Sequence, residues 1–322
     1  MKKHFPITAL LSVFLVAGCI NFGGTSEANV DIKDIISVAA QSASVIPIPP
    51  LSTETDFTLS FQVKNNDKNK NIQVNLNVFD WGVCSKPEIK GTQNADKTIY
   101  NFQLVPGQTE LVEISTKSPT KEKIQSLKAS CPIQWRTTYA FTATSGDGFN
   151  VVSKDKLTQL QRAGKSPELP AITKSIGTGP IRIYFDFKTD KNYMTAASPL
   201  QMTVTAKDEG EGSLSKVAAG KLFIKVPVEW TRVSKDAASK DDSCTSDFQI
   251  DRTKSTQDTI AYVNKKDIPL IERSTPELVC NFAAPNLDAF SPIVPQKSYS
   301  VSAELVDYTY SIDGKKEIEI NP

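Results

Sequence analysis

Two carboxylates separated by a single residue, Glu209 and Glu211, could act as the acid and the nucleophile of a glycosidase. That reaction needs two carboxyl groups about 5 to 10 Å apart across a cleft. Gly210 and Gly212 place both glutamates in a predicted turn, where no apolar pocket would raise the pKa of either. We therefore expect a plain acidic turn here and no catalytic residues.

Aspartates at two other places offer the hard oxygen ligands that calcium prefers. They are Asp186 with Asp190, and Asp241 with Asp242. Neither pair matches the spacing of an EF-hand loop. We expect solvated turns at both places, with no metal and no cofactor.

Histidine chemistry is confined to one position, because His4 is the only histidine in the chain. Catalytic triads, Cys-His nucleophiles and histidine-containing zinc sites all require an imidazole. The sequence also contains no glycine-rich phosphate loop and no nucleophile elbow. These features predict a protein that is not an enzyme.

Four of the five cysteines, Cys84, Cys131, Cys244 and Cys280, lie well inside the chain. They permit three pairings, and the spacing does not decide chemically among them. Two lie in each half, so Cys84 with Cys131 and Cys244 with Cys280 is the simplest arrangement. Such disulfides persist outside a reducing cytosol. A four-thiolate zinc site is the competing interpretation, and the absence of any CxxC pair disfavours it.

Large aromatic residues could form a surface on which sugars stack, and Trp81, Trp135 and Trp230 are the candidates. Alternation places at least Trp135 and Trp230 at strand positions, where core packing is the default. Tyr139 and Tyr299 are likewise expected to be structural anchors on strands.

The remaining cysteine, Cys19, ends an N-terminal segment with a pattern of its own. Lys2 and Lys3 precede an apolar run at 7–17, which leads into Val-Ala-Gly-Cys. This order resembles a lipoprotein signal peptide, which implies cleavage before Cys19 and lipid on its thiol. The rivals are a plain secretory signal and an uncleaved anchor, for which the run is about half of the roughly 20 residues needed. Residues 19–29 are expected to be a tether.

Charge excludes one class of partner. The formal net charge is +1, and loss of Lys2 and Lys3 with a signal peptide would make it −1. Binding of nucleic acid requires a basic patch that neutralises phosphates, and no such patch is present. We expect no nucleic-acid partner.

The elements that must position these residues are predicted to be almost all strands. Apolar and polar residues alternate at 57–63, 72–78, 99–104, 111–115, 134–143, 181–187, 200–206, 222–226 and 298–310. The segment from Ile32 to Ser44 is ambiguous and is interpreted as a strand. Thr120 to Lys128 is predicted to form one or two helical turns. Asp313-Gly314 is predicted to be a hairpin turn before a last strand at 317–320.

The same residue types occur in the same order in both halves of the chain, which indicates duplication. Each has a strand ending in a polar turn, then a Trp ahead of a cysteine, a second cysteine and a Tyr-bearing strand. Between them, Ser153 caps a predicted helix that Gly164 ends, and an extended linker follows. The repeated pattern of strands, tryptophans and cysteines predicts two immunoglobulin-like β-sandwiches.

On the residues 59–65, the Pro106-Gly107 turn, 179–183 and 200–212, the chain resembles the tandem Ig-like domains of bacterial and archaeal surface lipoproteins. The S-layer-associated and adhesion-type modules of archaea are the nearest in pattern. Trp81 and Trp230 each precede the first cysteine of their half, unlike antibody domains. The resemblance implies no catalytic residues.

Together these observations predict the following order: signal peptide 1–18, lipidated tether 19–29, sandwich 30–150, helix and linker 151–178, and sandwich 179–322. The expected protein is exported and membrane-anchored on the extracytoplasmic face or cell surface, as a non-catalytic envelope, adhesion or protein-interaction module. Its partners would be the membrane, through the lipid, and a protein or envelope polymer. The alternative is a ligand-binding lipoprotein of a transport or sensing system with a site between the domains. The first domain is expected to be nearer the membrane.

Overall fold

Buried and less buried side chains alternate along the segments 56–65, 72–78 and 129–149 of the folded chain. The computed structural model describes residues 32–39, 43–125, 127–189, 191, 193–232, 247–287 and 294–322. The predictions that fall on the signal peptide, the tether, His4, Cys19, Asp190, Asp241, Asp242 and Cys244 lie outside the described residues. Within them almost every element is a strand, which confirms the predicted all-β class.

The first half contains nine strands among the described residues: β1 (Ile36–Val38), β2 (Ser44–Ile46), β3 (Leu51–Ser52), β4 (Asp56–Asn65), β5 (Ile72–Asp80), β6 (Glu88–Ile89), β7 (Ile99–Leu104), β8 (Thr109–Lys117) and β9 (Ala129–Val152). A single helix follows, α1 (Lys154–Arg162). The second half contributes β10 (Ser175–Ile176), β11 (Ile181–Phe187), β12 (Tyr193–Thr195), β13 (Pro199–Asp208), β14 (Lys216–Val217), β15 (Leu222–Pro227), β16 (Thr231–Arg232), β17 (Phe248–Asp251), β18 (Thr259–Asn264), β19 (Ile268–Pro269), β20 (Leu278–Ala283) and β21 (Gln296–Asn321).

The first sandwich packs the sheet β1-β4-β8-β6 against the strands β21-β9-β5-β7 of a ten-stranded sheet. Phe61 of β4 stacks on Trp135 of β9 with ring centroids 4.4 Å apart, which marks the contact between the layers. This neighbour order is that of immunoglobulin-like domains, in which A-B-E-D faces a sheet containing C, F and G.

The second sandwich packs the sheet β11-β13-β20-β16 against the other end of the ten-stranded sheet, β9-β21-β15-β18-β17. Phe187 and Phe282 from the smaller sheet lie against Trp230, Phe149 and Tyr262, with ring centroids 5.1 to 6.4 Å apart. The same order of neighbours therefore occurs twice, as the duplicated sequence pattern predicts.

One antiparallel ribbon, β9 paired with β21, belongs to both sandwiches. The pairing runs from Ala129↔Ile320 at one end to Val152↔Gln296 at the other. In the first sandwich β9 is the F-type strand and β21 the G-type strand, and in the second the roles are exchanged. Each strand has more than 20 residues, against the usual 3 to 10, because it crosses two cores.

The sharing of this ribbon changes the expected domain organisation. Residues 308–320 of β21 pair with the first-sandwich part of β9, and residues 296–305 pair with its second-sandwich part. Neither predicted range, 30–150 or 179–322, therefore holds a complete sandwich by itself. Residues Ile32–Pro322 form one compact unit.

The predicted hairpin turn at Asp313-Gly314 is wrong, because β21 runs straight through it to Asn321. Gly314 pairs with Trp135 across the ribbon. A Cβ atom on Gly314 would lie closer than 3.0 Å to three atoms of the Trp135 ring. The glycine therefore makes room for a buried tryptophan instead of reversing the chain.

The other local predictions have mixed outcomes. Ser153 caps α1 by accepting a hydrogen bond from the Lys156 N–H, and Gly164 follows the helix with φ +65, as predicted. The segment after Thr120 is a hydrogen-bonded turn that falls short of a helix. In the ambiguous stretch, Ile36–Val38 form β1 on the edge of β4, so the strand interpretation is confirmed there. No helix among the described residues is both long and apolar enough to cross a bilayer.

Candidate functional site at the junction of the sandwiches

The acidic turn at 208–212 lies where the two sandwiches meet, and its first residue is the most constrained. The Asp208 side chain is 2% exposed. Its Oδ1 accepts hydrogen bonds from the Tyr310 hydroxyl at 2.7 Å and from Arg273 at 2.9 Å. The backbone N–H groups of Gly210 and Leu214 donate to the same carboxylate at 3.3 and 3.2 Å. A buried carboxylate is tolerable only with partners of this kind.

Arg273 reaches this carboxylate from a tight turn. Ile271 and Ser274 exchange backbone hydrogen bonds, and the two residues between them, Glu272 and Arg273, have φ of 50 and 66. Two consecutive positive φ values define a type I′ turn, which non-glycine residues adopt at a cost. The guanidinium also donates to the carbonyl oxygens of Gly210 and Gly212. The turn therefore positions the Arg273 guanidinium so that it contacts the acidic loop at Asp208, Gly210 and Gly212.

Glu209 and Glu211, which the sequence predicts to lie in a plain acidic turn, are parts of this junction. The Glu209 carboxylate accepts a hydrogen bond from the Tyr184 hydroxyl at 2.5 Å and pairs with Lys33 at 3.3 Å. The hydrogen bond from Tyr184, followed by that from Lys33, lowers the pKa of Glu209 below its usual value. The N–H of Glu211 donates to Asp34 at 2.8 Å. A lowered pKa disfavours Glu209 as a general acid, and its contacts with Tyr184 and Lys33 tie the acidic turn to neighbouring elements.

Glycines allow the loop to pack this closely. A Cβ atom on Gly210 would meet Pro180, Asp34 and Tyr310. One on Gly212 would meet the Ser311 carbonyl oxygen and the side chains of Tyr310 and Ile312. Only glycine lets the loop approach β21 at this distance. The space between the sandwiches is therefore occupied by protein at this loop.

Three tyrosines of the ribbon, Tyr139, Tyr308 and Tyr310, line the same region. All are buried, and the rings of Tyr139 and Tyr310 lie 5.7 Å apart. Burial raises the pKa of each hydroxyl well above its usual value of 10.0. For Tyr310 the hydrogen bond to Asp208 raises it further. The hydroxyls therefore stay neutral under ordinary conditions. Of the three, only the Tyr310 hydroxyl donates a hydrogen bond within the described residues, so Tyr139 packs as a ring and not as a hydroxyl anchor.

The ribbon itself is irregular at this point. The register with β9 shifts between Leu305 and Tyr308, and Asp307 has φ 44. The buried positions of β21 change from odd to even numbers across the shift. One extra residue, a β-bulge, therefore keeps the same face of β21 turned to both cores.

Aromatic residues expected in the core are there. Trp135 and Trp230 are buried and Trp81 is partly buried, so none of the three forms an exposed sugar-stacking platform. Trp230 follows the end of β15 instead of lying on a strand. The Tyr299 hydroxyl donates to Glu229 at 2.5 Å, which bears out the interpretation of Tyr299 as an anchor.

One predicted disulfide is present. Cys84 and Cys131 are bonded with Cα atoms 5.7 Å apart, and they join the loop after β5 to the start of β9. Closing 47 residues contributes about 4 kcal/mol in the chain-entropy model. Cys280 is buried on β20 and disulfide-bonded. Its pairing with Cys244 stays a prediction, because Cys244 lies outside the described residues.

Of the four aspartates considered as calcium ligands, only Asp186 lies among the described residues. Asp186 pairs with Lys188 at 2.5 Å on the surface. No three His, Cys, Asp or Glu residues among those described come together as a metal site would require. Two open clefts, of about 380 and 360 Å³, lie outside the acidic loop of the junction. One is on the outer face of the first sandwich beside Thr58 and Ser115, and the other is between loops 64–68 and 106–107.

Sequence reasoning missed Asp208, Arg273 and Tyr310. They are up to 102 residues apart, and no motif joins them. The sequence carried only an indirect signal, the two glycines of the acidic turn, which allow a close approach of backbone to another element.

Comparison with known proteins finds weakly similar solved structures but no matching family. No family model and no curated protein matches the chain. A biofilm-associated protein B domain aligns at 7% identity over 86% of this chain and 72% of its own, with a TM-score of 0.20. The VP2 subviral particle of infectious bursal disease virus aligns at 9% identity over 86% and 80%, with a TM-score of 0.13. Scores this low carry no argument about fold or function.

Proposed function

We propose that this chain is an exported, lipid-anchored surface protein whose two joined sandwiches act as a non-catalytic envelope, adhesion or protein-interaction module. Cys19 is the proposed site of lipid attachment and the extracytoplasmic face the proposed location. A protein or an envelope polymer is the proposed partner.

A single observation carries this proposal, namely that both sandwiches are built on one ribbon, β9 with β21. Two domains on a flexible linker move independently, whereas two cores on shared strands keep a fixed relation. The buried hydrogen bond between Asp208 of the second sandwich and Tyr310 in the first-sandwich part of β21 holds the sandwiches together. A rigid body of this kind suits presentation of a surface at a fixed position.

The alternative, a ligand site between the domains, receives less support. Such a site needs a concave cavity with a few convergent polar groups. At the acidic loop the space is filled by Pro180, Tyr310 and the loop itself. Its carboxylates, Asp208 and Glu209, are already bonded to protein donors.

Metabolic labelling with a lipid precursor tests the anchor. Wild-type protein should incorporate label and fractionate with membranes, and Cys19→Ser should do neither. A matched control, Ser26→Ala, changes one hydroxyl of the tether and should behave as wild type. Equal labelling of wild type and Cys19→Ser would contradict the lipid anchor, and so would a Cys19→Ser protein that stays in the membrane fraction.

A further inference from the structure

The chain enters its folded body at the junction and not at an end. The Ile32 carbonyl accepts hydrogen bonds from the Gly179 N–H at 2.9 Å and from Arg182 at 3.2 Å. Lys33 pairs with Glu209, which belongs to the second sandwich. The next residue, Asp34, receives the Asn66 side chain from the first sandwich at 3.0 Å. Residues 32–34 are therefore fastened to both sandwiches.

This point lies midway along the shared ribbon. Gly179, which binds Ile32, approaches the ring of Phe141 in β9. Phe141 is 12 residues from Ala129 at one end of β9 and 11 residues from Val152 at the other. At about 3.3 Å per residue, the strand extends roughly 40 Å to one side and 36 Å to the other.

The length of chain before Ile32 limits how the body can sit on a membrane. If Cys19 carries lipid, as proposed above, residues 20–31 are all that separate the lipid from Ile32. A fully extended chain of that length spans about 45 Å. If one end of the ribbon rested on the membrane, residues 20–31 would have to be almost fully extended to connect the lipid with Ile32. Chain entropy opposes such stretching. Resting the middle of the body on the membrane needs no stretching.

The surface around this point is polar. The Asn66 side chain donates to the Asp34 carbonyl, and the Asn66 N–H donates to the carbonyl of the next residue, Ile35, so the loop around Asn66 lies beside Asp34. Lys64 and Lys68 beside it are exposed, whereas the Lys70 ammonium lies over the Phe141 ring, 4.9 Å from its centroid. The carboxylate of Asp67 is turned inward, where it accepts hydrogen bonds from the N–H groups of Asn69 and Lys70. Ammonium and amide groups of this kind suit the headgroup layer of a bilayer.

We propose that the protein is held by its middle, with residues 32–34 and the loop 64–70, the waist face, turned to the lipid headgroups. The two ends of the ribbon then extend away to either side without contacting the headgroups, and neither sandwich is the nearer one. This inference rests on the proposed lipid anchor at Cys19, and it replaces the expectation that the first sandwich is membrane-proximal.

Lysine footprinting on vesicles tests the orientation without depending on lipidation in the cell. The mature chain, starting at Cys19, is coupled through that thiol to a maleimide lipid in phosphatidylcholine vesicles containing phosphatidylglycerol. Acetylation of each lysine is then compared by mass spectrometry between coupled and uncoupled protein. Lys64 and Lys68 report on the waist face, Lys117 and Lys121 on the end of the first sandwich, and Lys154 on the end of the second.

The expected result is a several-fold lower acetylation rate at Lys64 and Lys68 in the coupled protein, with unchanged rates at the two ends. Protection at Lys117 and Lys121, or at Lys154, would overturn the proposal in favour of an end-on arrangement. Equal rates everywhere would overturn it too, because they would mean that no face is turned to the lipid. A chain extended by a 20-residue Gly-Ser insert after Ala28 should lose most of the protection at the waist face. Absence of metabolic lipid labelling in the wild-type protein, or equal labelling of Cys19→Ser, would instead contradict the anchor itself.

Discussion

The Asp208 side chain accepts more hydrogen bonds than any other side chain of the acidic loop. Its carboxylate is buried, and it receives one hydroxyl, one guanidinium and two backbone donors. Removing one partner from a buried ion leaves its charge uncompensated, which costs more than the lost contact alone. Arg273 is about half exposed, so water replaces much of what it loses if the pair is broken.

Tyr310→Phe removes the hydroxyl that donates to Asp208 and nothing else. A hydrogen bond to a charged group contributes about 1.5 to 3 kcal/mol, so the free energy of unfolding should fall by that amount. Urea denaturation measures it. Tyr100→Phe is the matched control, because its hydroxyl donates to Glu110 at 3.1 Å near the surface. An equal loss in both variants would mean that burial of Asp208 adds nothing.

The Glu209 carboxylate should make the free energy of unfolding fall more steeply as the pH is lowered. Its pKa is lowered by the hydrogen bond from Tyr184, so its contribution is present above the unfolded value near 4.5 and is lost as the pH falls through the lower folded value. Glu209→Gln should therefore reduce the loss of stability between pH 5 and 3, by up to about 1 kcal/mol after allowance for solvent screening.

Urea midpoints at pH 7, 5 and 3 give the comparison for Glu209→Gln. Glu211→Gln is the control, because the contact of Glu211 to Asp34 is made by its backbone N–H. It should keep the wild-type dependence on pH. A Glu209→Gln protein with an unchanged pH dependence would show that this carboxylate does not contribute.

At the scale of elements, β21 depends on a glycine in an unusual place. A glycine inside a strand weakens it, unless another group occupies the space above it. The ring of Trp135 does so at Gly314. Gly314→Ala should displace that ring and destabilise the protein by about 1 to 3 kcal/mol, as overpacked cores do.

Thermal unfolding together with the near-ultraviolet circular dichroism of the tryptophans would detect this change. Asp313→Ala, one residue away, removes only an exposed ion pair with Arg136 and should cost less than about 1 kcal/mol. A Gly314→Ala protein as stable as Asp313→Ala would mean that Trp135 can move aside freely.

The turn that carries Arg273 is strained for its sequence. Glu272 is exposed and has φ 50, a conformation that asparagine adopts more readily. Glu272→Asn should raise the free energy of unfolding by about 0.5 to 1 kcal/mol. Glu277→Asn, at an exposed position without a positive φ, should leave it unchanged within the error of a urea titration. Destabilisation by Glu272→Asn would show that the Glu272 side chain has a role of its own.

At the scale of the molecule, shared strands make the two cores one cooperative unit. Neither sandwich can lose the ribbon without exposing the core of the other. Leu59→Ala in the first core should cost about 2 to 5 kcal/mol. The slowest-exchanging amides of β13, in the second sandwich, should lose the same amount of protection.

Hydrogen exchange followed by mass spectrometry reads the amides of both sandwiches in one sample. Leu111→Ala is the control, because Leu111 is mostly exposed on β8. It should leave exchange in β13 unchanged. If Leu59→Ala loosened only the first sandwich, the two cores would be independent domains despite their common strands.

Prediction from the sequence succeeded where the signal is local. Alternation at 57–63 and 181–187 placed β4 and β11, and Ser153 with Gly164 placed α1. It failed at Asp313-Gly314, because the pair usually marks a hairpin and only the opposite strand shows which ring covers the glycine. The junction also escaped prediction, because an Asp, an Arg and a Tyr on three distant segments have no common spacing.

By itself the sequence determined the all-β class and the repeated strand order, since both depend on local periodicity. It also placed Trp135 in the core and made Cys84 with Cys131 the simplest of three possible pairings. Only the tertiary structure decided that the last strand returns to the first sandwich and that the chain enters at its middle. Strand partners are chosen by the burial of a whole face, and that choice depends on residues far apart in the chain. A pattern of period two marks which face of a strand is buried, and it leaves open which core will bury it.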